Sequence, residues 1–175
     1  KEGESKEDKN TKEDQKKINI LILDDDTEAK NINLFALKEK MYATIDKSTK
    51  EVDERFSLNI VFRSELIESC YDGKYDLLNM ISLGAIIYDP SDMLAAIKIA
   101  EIHKSMAIKK FDKYIVSYVA AGSLFRGEKS NDIDVYIIVD DTDVKKMSRF
   151  ELKDKLRAII ISMGIQAKEI TGVQK

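Results

Sequence analysis

The residues best suited to chemistry lie between 118 and 135. An apolar run, Tyr118-Val119-Ala120-Ala121, ends in Gly122-Ser123, and after a spacer carrying Arg126 the aspartates Asp132 and Asp134 flank Ile133 at the head of a second apolar run. Residues i and i+2 of a strand point to one face, so the two carboxylates are expected to share one. Placed a few ångströms apart, they repel each other unless a cation lies between them. Hard oxygen donors of this kind suit Mg²⁺, which also keeps waters and takes substrate phosphates. Gly122 lets the main chain turn tightly and approach a phosphate. Ser123 adds a hydroxyl, and the N–H groups after it would face an anion. Arg126 either reaches a substrate phosphate or braces the loop through a carboxylate or main-chain bond. The set amounts to a triphosphate clamp beside a divalent-metal pair, as in-line phosphoryl or nucleotidyl displacement requires. The plain alternative is that Asn131-Asp132 merely forms the turn that opens a strand.

Composition narrows the field. The chain has 175 residues, 43% of them apolar and 35% charged, with a net charge of −3. That length suits one ordinary domain or two very small ones. The near balance of acids and bases argues against broad charge attraction to nucleic acid or membrane. One cysteine excludes a disulfide framework and a Cys-based zinc site, and one histidine excludes multi-His metal chemistry. No apolar run approaches the roughly 20 residues of a membrane span. A cytoplasmic, reducing-compartment protein with no membrane association is the expectation. Residues 1–17 alternate Lys with Asp or Glu and hold no large apolar side chain, so they read as a charged tail or linker. The lack of an initiator Met and of a polar tail at the far end reads as a fragment or a processed chain.

The elements that must position the aspartates follow from periodicity. Ile18 to Leu23 reads as a strand broken by Asp24-Asp25-Asp26-Thr27, and Asn31 to Ile45 as a helix. Phe56 to Phe62 reads as a strand with Leu58, Ile60 and Phe62 on one face. Glu65 to Ile81 holds one or two helices, and Ala85 to Tyr88 a short strand. Asp92 to Lys113 reads as a helix with Asp92 as its N-cap. Ile115 to Ala121 and Ile133 to Val139 read as strands, and Arg149 to Met163 as a helix. Asp24-Asp25-Asp26 and Asp140-Asp141 read as solvated turns rather than metal sites. His103 reads as a surface or helix-packing residue and Cys70 as half-buried. Lys109, Lys110 and Lys113 read as a solvated helix face.

A repeat lies in this order. Shifted by 115 residues, 18–45 falls on 133–160 without a gap, and 12 of the 28 positions are identical. Average residue usage would give about two. The reading is two partial copies of one unit: a tail at 1–17, a degenerate unit at 18–92, and a second unit at 93–175. In the first copy Lys17 and Asn19 stand where the second has Asp132 and Asp134.

Gly122-Ser123, the spacer with Arg126-Gly127, and Asp132-Ile133-Asp134 resemble the GS…DxD signature of the DNA polymerase beta nucleotidyltransferase superfamily. The small minimal nucleotidyltransferases of archaea and bacteria are closest in style. Leu58 to Val61, the helical stretch to Ile81 and Gly84 to Asp89 are similar to the downstream part of such domains. The resemblance implies an α/β (α+β) fold, a small mixed sheet with helices packed on it. It implies Mg²⁺ on Asp132 and Asp134 and nucleotide phosphates on Gly122 and Ser123, with Arg126 as a further phosphate contact. The implied reaction moves a nucleoside monophosphate from an NTP to an acceptor and releases pyrophosphate. A protein hydroxyl, an RNA end and a small molecule all fit as acceptor. A third carboxylate is implied on the next strand, expected near Val173, but Gln174 is no acid and Glu169 is the nearest one. Two other classes stand beside the enzyme: a catalytically inactive nucleotide- or partner-binding pseudoenzyme, and an assembly unit in which the repeat forms a pseudo-symmetric pair or a homo-oligomer.

Overall fold

The computed structural model describes residues 16–29, 31–122, 132–144 and 146–172. It is a mixture of helices and strands, a small α+β fold, in two compact units, 1–73 and 74–175. Among the described residues no helix is long and apolar enough to cross a membrane.

In the first unit β1 (Ile18–Asp24) and β2 (Phe56–Phe62) pair in parallel, with Ile18 opposite Phe56 and Asp24 opposite Phe62. Parallel neighbours cannot be joined by a tight turn, and the crossover is α1 (Leu34–Val52). Asn33 starts this helix by accepting the Ala36 N–H at 3.2 Å. The core of the unit sits on β2. Ile60 and Phe62 are 2% and 1% exposed, Val61 on the opposite side is buried as well, and Leu66 of α2 (Arg63–Tyr71) completes the cluster. The strand therefore buries both faces near its end and reads as a continuous apolar run rather than an alternating one.

α2 follows β2 without a loop, so its N-terminal N–H groups need partners from elsewhere. Asp26, just after β1, supplies them: one carboxylate oxygen accepts Ser64 N–H at 3.1 Å and the other accepts the Ser64 hydroxyl. Glu65 accepts the Phe62 N–H at 2.8 Å and pairs with Lys38 of α1 at 2.9 Å. The Lys38 ammonium also lies 5.9 Å from the centre of the Phe62 ring. The end of β2 is thus clamped by one group from the β1 turn and one from α1.

The second unit holds α3 (Asp76–Leu83), α4 (Met93–Phe111), β3 (Ile115–Ala121), β4 (Asp134–Val139) and α5 (Arg149–Thr171). α4 packs on both α3 and α5. It buries Ala95, Ala96, Ala100 and Ala107, small side chains that let neighbouring helices come close. Burial on several sides explains why its helical period is imperfect in the sequence. β3 and β4 form an antiparallel hairpin, with Ala121 opposite Asp134 and Tyr118 opposite Ile137, and a bulge between Ile115 and Ser117.

α3 packs on α4 and falls with it in the second compact unit. Two expectations need correction. Residues 85–88 are not a strand: a strand exists only in a ladder, and none of the described strands pairs with this stretch, where Ile87 is 94% exposed. Asp92 occupies the N-cap position of α4 but has φ +61° and gives no side-chain cap. Asp89 does that work, accepting the Ala95 N–H at 2.8 Å.

The strand–turn–helix segments offset by 115 residues are built alike. Asp25 accepts the Thr27 N–H at 3.1 Å, and Asp140 accepts the Thr142 N–H at 3.0 Å. Ala29 N–H reaches Asp26 O at 2.9 Å, and Val144 N–H reaches Asp141 O at 3.1 Å. Ser148 caps α5 through the Glu151 N–H at 3.2 Å, as Asn33 caps α1. The Asp clusters after the strands are turn-forming residues, as expected.

His103 is a packing histidine, 4% exposed. Its Nε2 lies 3.0 Å from Ile160 O and its Nδ1 2.8 Å from the Tyr118 hydroxyl. A carbonyl only accepts, so Nε2 carries a proton; in the neutral ring Nδ1 then accepts from Tyr118. Burial, aided by the Glu101 charge, pushes the Tyr118 phenol well above the usual range, so it stays a donor. One imidazole therefore ties α4, β3 and α5 together. His103→Phe should cost about 1–3 kcal/mol in urea unfolding, because Ile160 O loses its donor and the Tyr118 hydroxyl keeps only Ala100 O, 3.2 Å away. Tyr118→Phe should cost about 1 kcal/mol, leaving the histidine its bond to α5.

Candidate functional site

The site is the mouth of the β3–β4 hairpin. Paired residues of an antiparallel ladder share a face. Ala121 opposite Asp134 and Val119 opposite Tyr136 therefore lie together on the outer face. The inner face carries Val135, Ile137 and Val139, which alternation would send into the core but which are only half-buried. Asp134 opens β4 and is exposed. Asp132 is exposed too but precedes the ladder, so the strand geometry that was to align the pair governs Asp134 alone.

Gly122 follows the last residue of β3 with φ +121°, a backbone region that side chains rarely enter. A Cβ built there would lie 3.5 Å from Asp134 Oδ2 and 3.8 Å from Asp134 N. That is ordinary contact, so it is the backbone angle rather than space that calls for glycine. The glycine main chain and the Asp134 carboxylate thus stand side by side across the ladder. Ser123 and Arg126 lie outside the described residues.

No group of three or more His, Cys, Asp and Glu is gathered for a metal among the described residues. Glu169, the nearest acid by sequence to the expected third carboxylate, lies in the last turn of α5, where its carbonyl accepts the Gly172 N–H at 3.2 Å. In the first unit Lys17 and Asn19 are exposed, and Asn19 pairs with Ser57, so no carboxylate stands at the matching place. Electrostatics elsewhere is local. The Thr27 hydroxyl and N–H, helped by Arg63, hold the Asp25 carboxyl below its usual range, and Thr142 does the same for Asp140. Among the described residues neither turn gathers three such groups toward one metal position.

Tyr136 was not among the residues expected to matter. It is 62% exposed, two residues along the Asp134 face and opposite Val119. The signal was present, since a period of two from Asp134 places it there.

No family model, curated protein or solved structure matches this chain. The site must be read from its own geometry. Gly122→Ala should destabilise the protein by about 1–3 kcal/mol in denaturant unfolding through backbone strain. Ala121→Gly, whose backbone lies in the ladder, should cost no more than about 1 kcal/mol.

Proposed function

We propose that the hairpin mouth binds the phosphates of a nucleoside triphosphate and that the protein is a Mg²⁺-dependent nucleotidyltransferase. The observation that carries this reading is the juxtaposition of Gly122, main chain open at φ +121°, with the Asp134 carboxylate across the ladder. A glycine main chain can approach a phosphate closely, and a carboxylate beside it can hold the cation that offsets the phosphate charge.

The donor set fits Mg²⁺. This ion binds through one or two carboxylates and completes its shell with water and substrate phosphates, so the exposed Asp134 would be enough to hold it, with Asp132 two residues before it as a second donor. When bound it would draw charge from the phosphate oxygens as the displacement proceeds. Gly122 and Ser123 would hold the β- and γ-phosphates, and Arg126 would add a cation. The acceptor hydroxyl oxygen forms a bond to the α-phosphorus, the bond to the bridging oxygen breaks, pyrophosphate leaves, and the hydroxyl proton passes to solvent or a base. Tyr136 offers an aromatic face for a base on the same side of the sheet. The acceptor is a protein hydroxyl, an RNA end or a small molecule.

The first unit, with Lys17 and Asn19 in place of the aspartates, reads as a degenerate copy that lacks the metal pair. One observation favours a second reading. Only two acids stand at the mouth among the described residues, which suits an inactive nucleotide- or partner-binding module.

Calorimetry with each of the four NTPs separates these readings. Binding that needs Mg²⁺ and falls at least tenfold in Asp132→Ala/Asp134→Ala is the expected result, and pyrophosphate release in the presence of acceptors then marks the enzyme. Binding without release supports the inactive module. Absence of binding in both forms contradicts a nucleotide site.

A further inference from the structure

The second unit contains a groove of about 1080 Å³ along β4 and the first half of α5. Val135, Tyr136 and Ile137 all line it. Val139 of the same inner face lines it too, and Phe111, Tyr114 and Ile115 close its other end. One edge of β4 is taken by β3, and no described strand pairs with the other. The far wall is Leu152, Leu156 and Ile160 of α5, and the polar rim includes Asp141 and Lys153.

The first unit shows what belongs in such a place. Shifted by 115 residues, Leu152, Leu156 and Ile160 are Leu37, Met41 and Ile45, half-buried residues of α1, the helix that packs on β2. β4 becomes β1, whose edge is filled by β2 in parallel register. The rim corresponds as well. Asp141 matches Asp26, which holds Ser64 two residues beyond the end of β2. Lys153 matches Lys38, which pairs with Glu65 three residues beyond that end. In the second unit Asp141 instead pairs with the exposed Arg149 at 2.9 Å, and Lys153 has no ion pair among the described residues.

We infer that the groove between β4 and α5 is a docking site for one further polypeptide strand. The strand runs parallel to β4 and carries the β2 pattern: seven extended residues with an apolar, aromatic-ended second half, then Ser and Glu two and three residues beyond. The ladder supplies affinity, the α5 wall selects apolar side chains, and Asp141 and Lys153 set register through the trailing Ser and Glu. The strand belongs to a partner polypeptide of this pattern rather than to β2 of another copy of this chain. β2 is already buried on both faces in its own sheet, and extracting it would expose Ile60, Val61 and Phe62. This inference rests on the repeat and the groove, and is independent of nucleotide binding.

The probe is a synthetic peptide of residues 56–65, which carries every recognition feature in this chain's own sequence. Added to the full ¹⁵N-labelled chain, it should bind 1:1 and saturably, with amide shifts concentrated at 134–141 and 149–160. Lys153→Glu alters an exposed side chain and leaves the core intact. It should weaken binding about threefold to fivefold, and a peptide with Glu65→Lys should restore it. Shifts concentrated at 18–24 would mean that the peptide displaces β2 from its own sheet and would overturn the inference. So would peptide-free dimerisation through residues 56–62, absence of binding at millimolar peptide, or a Lys153→Glu chain that binds both peptides as the parent chain does.

Discussion

A strand buried on both faces needs a ladder on its edge and side chains over each side, and in the first unit β2 makes this demand on everything around it. β1 supplies the ladder, α1 covers one side, and α2 begins at once so that Leu66 can close the cluster. The polar contacts serve the same end. Asp26, Lys38 and Glu65 gather where β2 passes into α2, the place where main-chain N–H groups would otherwise lack partners. The second unit repeats the strand, the turn and the helix but, among the described residues, has no such strand beside β4. Its core moves to the alanine-rich faces of α4 and to His103.

That shift matters for the hairpin. A two-stranded antiparallel ribbon is marginal by itself. Here it is anchored by Tyr118, three residues before the end of β3, through His103 to two helices. The anchor lies on the inner side, which leaves the outer face and the mouth open to solvent. The proposed phosphate site would use this division, with the main chain held from behind and glycine and carboxylate at the exposed end.

Much of this was legible in the residues. The isoleucine alternation from Ile18 and the run at Phe56–Phe62 announced both strands of the first unit, because strand faces repeat every two residues whatever surrounds them. The 12 identities at an offset of 115 residues have a local counterpart, since the turn after β4 and the cap of α5 resemble those of β1 and α1, and such turns are decided by side chains two and three residues away. Features that depend on distant partners were hidden. Ala85 to Tyr88 has the composition of a strand, but composition does not reveal whether an edge is available. Asp92 was the cap expected from its position, but the chain path brings Asp89 to the Ala95 N–H instead. At the site, Gly122 and Asp134 were legible as a motif, whereas their contact across the ladder follows from a register that no local pattern specifies. Asp132 fell outside the ladder for the same reason.

The central claim is that a triphosphate and its cation meet at the mouth of this hairpin. The most direct measurement is an amide-resolved NMR titration of the full chain with ATP, first without and then with Mg²⁺. The account predicts saturable shifts at Gly122 and at 132–136 that appear only with Mg²⁺ present, with 18–24 unmoved. Shifts that ignore Mg²⁺, or that leave Gly122 and Asp134 untouched while other residues respond, would contradict it.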